Sequence, residues 1–118
     1  MWAYAVAQRL ANVLQFIVFS HSDTSADRDF LRRVSNGRLE IGGDVLAPAG
    51  APEVFGPALD YYQVDGRGRQ FRWLGSVTFR FDLSPLHLVA AHHASATFSF
   101  TDSDGSVRRY RVDFARYL

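Results

Sequence analysis

The stretch QFRWLGSVTFRFD, residues 70–82, leaves a chain little choice of local structure. Phe71, Trp73, Val77, Phe79 and Phe81 fall on one parity, and Arg72, Ser76, Thr78, Arg80 and Asp82 on the other. Alternation of that length is the period of a strand with one face in a core and the other in water. A strand this marked needs partners, so the rest of the chain is read by asking which segments can supply them.

Several can. In VRRYRVDFARYL, Tyr110, Val112 and Phe114 oppose Arg109, Arg111 and Asp113, and the preceding TDSDGS reads as a hairpin turn. RLEIGGDV alternates Leu39, Ile41 and Val45 with Arg38, Glu40 and Asp44, with a bend or bulge at Gly42-Gly43. LAPAGAPEVFGPA is a loop by its Pro48, Pro52 and Pro57. LDYYQVDGRGRQFRW reads as a hairpin around Asp65-Gly66, with a short helix over Pro57–Tyr62 as the alternative.

The N-terminal third reads as helical. In MWAYAVAQRLANVLQFIVFS, Gln8, Asn12 and Gln15 fall at i, i+4 and i+7, a narrow polar stripe on a mostly buried helix. The run lacks the basic opening of a signal peptide, and its polar residues interrupt the ~20 apolar residues that a membrane helix needs. A second helix, Ala26 to Ser35, is capped by Thr24 or Ser25, favoured by Asp27, buries Phe30, Leu31 and Val34, and ends at Asn36-Gly37. The expectation is a single domain over residues 1–118, of α+β class. Two N-terminal helices would pack on a bent antiparallel sheet of four to five strands.

Composition excludes chemistries. All 13 basic residues are arginine and cysteine is absent. Without lysine there is no P-loop and no Schiff-base or pyridoxal phosphate chemistry. Without cysteine there are no thiol nucleophiles, disulfides, iron–sulfur clusters or thiolate zinc sites. A net charge of +1 gives no field to gather nucleic acid or anionic lipid, so neither a nucleic-acid nor a membrane partner is expected. With no leader pattern read in the opening residues, a cytoplasmic location is the expectation.

HLVAAHHASATFSF, residues 87–100, raises the question of metal binding. If it runs as one strand, Phe98 and Phe100 fix the inner face, and counting back by two puts Ala96, Ala94 and His92 beside them. His93 then points the other way with Ser95, Thr97 and Ser99. A pair split across a sheet does not chelate one metal, so neither metal nor other cofactor is expected. His92, flanked by alanines on the apolar face, is either a hydrogen-bonded core histidine or a proton carrier in a pocket. Asp60, in ALDYYQ, has apolar neighbours that would raise its pKa toward that of a general base. Tyr4, Tyr61 or Tyr62, Trp73 and Tyr110 complete a candidate cavity lining, with a tyrosine hydroxyl steadying an oxyanion.

SDTSADRDFLRRVSNGRLEIGGDV and ATFSFTDSDGSVRRYRVDF resemble the second helix with first strand, and the closing hairpin, of the ketosteroid-isomerase-like or SnoaL-like superfamily (nuclear-transport-factor-two-like). Together they span about a third of the chain. The resemblance implies a cone-like, cystatin-like fold whose helices close over an apolar cavity. It implies a small-molecule pocket protein, an acid–base isomerase, cyclase or hydrolase acting on a small apolar substrate. It also implies dimerisation through a sheet face, here the one bearing Arg72, Arg80, Arg109 and Arg111. The alternative is a non-catalytic module that dimerises or docks on a partner through that face.

Overall fold

The computed structural model describes residues 3–10, 12–22, 24, 26–64, 68–84 and 95–113, with side chains except at 3, 4, 10, 60–64 and 68–71. Within them the chain is a β-sandwich. Eight strands run in order: β1 (Ala3–Leu10), β2 (Val13–His21), β3 (Ser35–Ile41), β4 (Asp44–Leu46), β5 (Glu53–Val64), β6 (Gly68–Asp82), β7 (Ser95–Thr101) and β8 (Val107–Asp113). They pair antiparallel throughout. One sheet has the order β1-β2-β6-β5 and the other β4-β3-β7-β8.

This corrects the α+β expectation: neither N-terminal helix exists. Residues of the first are the hairpin β1–β2, with Gln8 opposite Gln15 and Leu10 opposite Val13. The glutamines that mimic a helical stripe face each other across the hairpin, where Gln15 Nε2 donates to Gln8 Oε1 at 2.7 Å. Asn12 lies in the turn between the strands, and its carbonyl accepts from Leu83 N at 2.7 Å. A spacing of seven residues places two side chains on one face of a helix, and equally places them opposite one another in a tight hairpin. Valine, isoleucine and phenylalanine in VLQFIVFSH decide for the strand, because branched and aromatic side chains fit a pleated surface better than a helical turn.

Of the second helix only one 3-10 turn forms, Phe30–Arg33. It buries Phe30 and Leu31, and Val34 just after it is buried too, as the sequence suggests. Asn36-Gly37 does not end a helix but lies inside β3, where the pairing to β7 slips between Ser35 and Arg38 and Asn36 has φ +56°. Gly42 and Gly43, at φ +55° and +92°, form the two-residue turn of the β3–β4 hairpin. Residues 47–52 are a loop, and from Glu53 the chain is strand, including the Pro57–Tyr62 stretch.

The strands read from alternation are present. β6 covers the opening stretch, and β5 pairs along it from Glu53↔Thr78 to Val64↔Gly68, with a bulge between Phe55 and Ala58. Pairing of β6 with β2 ends at His21↔Leu74, so β5 and β6 continue beyond the sheet as a two-stranded ribbon. The molecule is accordingly long, 49 × 28 × 23 Å.

The two sheets meet through phenylalanine. Phe16 stacks on Phe98 with ring centroids 4.1 Å apart and planes 4° from parallel. Phe79 and Phe81 approach the same ring at 5.8 and 6.0 Å, and Phe100 at 5.7 Å. All five are at most 1% exposed. The inward parity assigned to Ala96, Phe98 and Phe100 is the observed one. A second lock sits at the β7–β8 turn, where Arg108 Nε donates to the fully buried Asp102 carboxylate at 3.1 Å. Arg33 Nε donates to Ser103 carbonyl at 3.0 Å and ties the 3-10 turn to that hairpin.

Candidate functional site

These rings pack between the sheets, and a concave stretch of the described surface lies beside them, lined by residues of the 3-10 turn, β3 and β5. A trough runs there between the 3-10 turn and β5. Its first basin, about 740 Å³, is floored by Leu31, Val34 and Phe79 and walled by Pro48, Pro52 and Val54. A second basin of about 670 Å³ shares Leu31, Arg32 and Val54 with the first and reaches Gly56 and Pro57 at the β5 bulge. These are volumes in the range that holds small organic ligands.

Each part of the trough has a local cause. The 3-10 turn buries its apolar pair, Phe30 and Leu31, and leaves Arg32 outside, with its side chain 84% exposed. Gly37 has no side chain to fill the space over the Phe79 ring, since a Cβ there would come within 2.4 Å of Phe79 Cδ1. Val54, on the edge strand β5, stays 48% exposed. Around this apolar floor stand Arg28, Arg32 and Arg38. Two carboxylates answer them: Asp29 lies 4.0 Å from Arg32, at the limit of an ion pair, and Glu40 pairs with Arg38 at 3.3 Å on the outer face of β3. Arg28 also lies over the Trp73 ring, 5.3 Å from its centroid, where the ring's negative face favours the cation. The trough thus has a greasy floor and a cationic rim.

The residues nominated from sequence are not gathered into one described site. His92 lies outside the described residues, as does His93. Asp60, Tyr61 and Tyr62 are strand positions in β5, in register with Arg72, Phe71 and Gln70 of β6. Tyr4 is in β1 opposite Phe19, at the other edge of the same sheet from Asp60. Three strand spacings, about 14 Å, separate those edges. Trp73 is half-buried against the core, with its backbone N–H donating to Ser22 Oγ at 3.0 Å. Tyr110 belongs to the other sheet and stacks on Phe100 at 6.0 Å, and burial pushes its phenol pKa above the ordinary value while Arg108 pulls it back.

The four arginines read as one face are also divided. Arg72 and Arg80 stand on β6 of the first sheet, Arg109 and Arg111 on β8 of the second. Among the described residues no three histidine, aspartate or glutamate side chains come together to hold a metal. No described helix is long and apolar enough to cross a membrane.

Sequence reasoning missed two things. His21 is 3% exposed, its Nδ1 2.8 Å from the carbonyl of Ser22, and it serves the end of β2 rather than a pocket. The trough itself had one visible sign, the prolines and glycines of residues 48–57, which keep that segment from closing the sheet edge in regular pairing. No family model, curated protein or solved structure matches the chain.

Proposed function

We propose that the chain is a small-molecule binding module that takes an apolar molecule bearing an acidic group in the trough between the 3-10 turn and β5. The observation that carries this reading is the pairing of an apolar floor, Leu31, Val34 and Phe79, with a half-exposed Val54 and a rim of three arginines. Burial of an alkyl or aryl body on that floor supplies affinity, and guanidinium groups at the rim fix the acid end. The reading keeps the small apolar ligand expected from the sequence and sets proton transfer aside. Among the described lining residues the single carboxylate, Asp29, faces Arg32, and no base stands beside an acid.

Titration calorimetry with decanoate, and with decylamine as the cation of matching length, tests it. Decanoate is expected to bind and decylamine to bind at least tenfold more weakly. Val54→Trp, which fills the trough from a strand position that tolerates an aromatic, is expected to weaken decanoate about tenfold, and Arg38→Ala about threefold. Equal binding of the two amphiphiles, or decanoate binding indifferent to Val54→Trp, would overturn the reading.

A further inference from the structure

The two outer faces of the sandwich differ in a way that ordinary solvation does not produce. On the second sheet the central outward residues of β7 are Ser95, Thr97, Ser99 and Thr101, flanked by Arg109 and Arg111 of β8, and its exposed apolar residues, Val45 of β4 and Val107 of β8, stand singly at opposite edges with polar residues between them. On the first sheet, Val6 stands opposite Ile17, which stands opposite Thr78. In the next row Phe19 stands opposite Ser76, which stands opposite Phe55. Val6 is 46% and Phe55 55% exposed, with Ile17 and Phe19 half-buried between them. Strand β2 is therefore apolar on both sides, which is how strands covered on both faces read.

A ladder of polar side chains on this face is bonded within the sheet. Gln15 Nε2 donates to Gln8, Arg80 Nε donates to Gln15 Oε1 at 3.2 Å, and Arg80 Nη2 donates to Glu53 Oε2 at 2.6 Å. That ladder crosses all four strands, and Gln15 is only 7% exposed within it. Covering the face orphans none of these groups, so the usual cost of burying polar atoms is already met within the sheet.

We infer that the outer face of the β1-β2-β6-β5 sheet is a homodimer interface, its occupant a second copy of this chain packed sheet to sheet. Four strands about 4.8 Å apart and nine residues of about 3.4 Å each outline roughly 600 Å² per copy. Two copies reach roughly 1,200 Å², the lower bound of a standard specific interface. The charge of the ladder is balanced, Arg80 against Glu53, so the face has nothing to select a charged stranger. A flat apolar centre with balanced polar flanks is self-complementary about a two-fold axis. The arginines of β8 take no part, which moves the interface away from the mixed arginine face expected from the sequence.

Sedimentation equilibrium of the full chain reads this directly. The wild type is expected to dimerise with a dissociation constant in the micromolar range. Phe55→Arg and, separately, Val6→Lys each weaken dimerisation at least tenfold with unchanged circular dichroism, since both side chains are half-exposed. Arg109→Glu with Arg111→Glu leaves it unchanged. A wild type that stays monomeric at about 300 μM overturns the proposal and assigns the face to a different partner. So does a dimer indifferent to Val6→Lys, or one broken by the β8 arginine changes.

Discussion

Replacing Phe98 by alanine lowers the stability of the chain by about 4 kcal/mol, the largest single-residue effect expected in this fold. Its ring touches both sheets: stacked on Phe16, tilted against Phe79, edge-on to Phe81, and continued by Phe100 and Tyr110 on its own sheet. Truncation removes the buried ring and leaves a hole whose walls belong to two sheets held apart by their other side chains, so collapse is partial. A domain of this size is stable by about 5–15 kcal/mol, and the variant is correspondingly marginal. Urea unfolding followed by tryptophan fluorescence measures it as a lowered midpoint at unchanged slope. Phe98→Leu keeps most of the volume and loses much less, roughly 1–2 kcal/mol. A loss under about 1 kcal/mol for alanine would mean that the rings do not hold the sheets together.

Gly37→Ala is expected to cost about 2–3 kcal/mol although it adds one methyl group. The added Cβ would lie 2.4 Å from Phe79 Cδ1 and 2.9 Å from Cγ. Cγ is the root of the ring and cannot swing aside, and Phe79 is fully buried against Phe98 and Phe100. Either β3 lifts from the core or the ring leaves its place, and both disturb the trough floor. Thermal denaturation should show a midpoint lower by roughly 10 °C. Gly50→Ala offers contrast: its Cβ meets nothing, so only its φ of +82° opposes the change.

What the sequence makes legible is the part of the fold with one wet face. β6, β7 and β8 alternate cleanly because one side is core and the other carries mostly polar side chains, and Phe79, Phe81, Phe98, Phe100 and Val112 are all buried as their parity demands. β2 resists the same reading because Ile17 and Phe19 put apolar groups on the side away from Phe16 and Val18. A strand without alternation looks like a buried helix when hydropathy is the only guide, and the glutamines at 8 and 15 complete the disguise. β-branched and aromatic content was the better witness there. Beyond the prolines and glycines of residues 48–57, the trough left little trace in the sequence, because it draws on the 3-10 turn, β3, β5 and the 47–52 loop together. The nominated centre of His92 and Asp60 rested on parity and on apolar neighbours, and His92 lies outside the described residues.

The core and the apolar outer face both presuppose that β1 and β2 form the edge hairpin of the sandwich. Nuclear Overhauser contacts in the labelled full chain test this most directly. Cross-strand contacts are predicted from Val6 to Ile17 and from Ile17 to Thr78, with strong sequential Hα–HN contacts along β1 and β2. Contacts from each residue to the third and fourth beyond it through that segment, with none to β6, would contradict it.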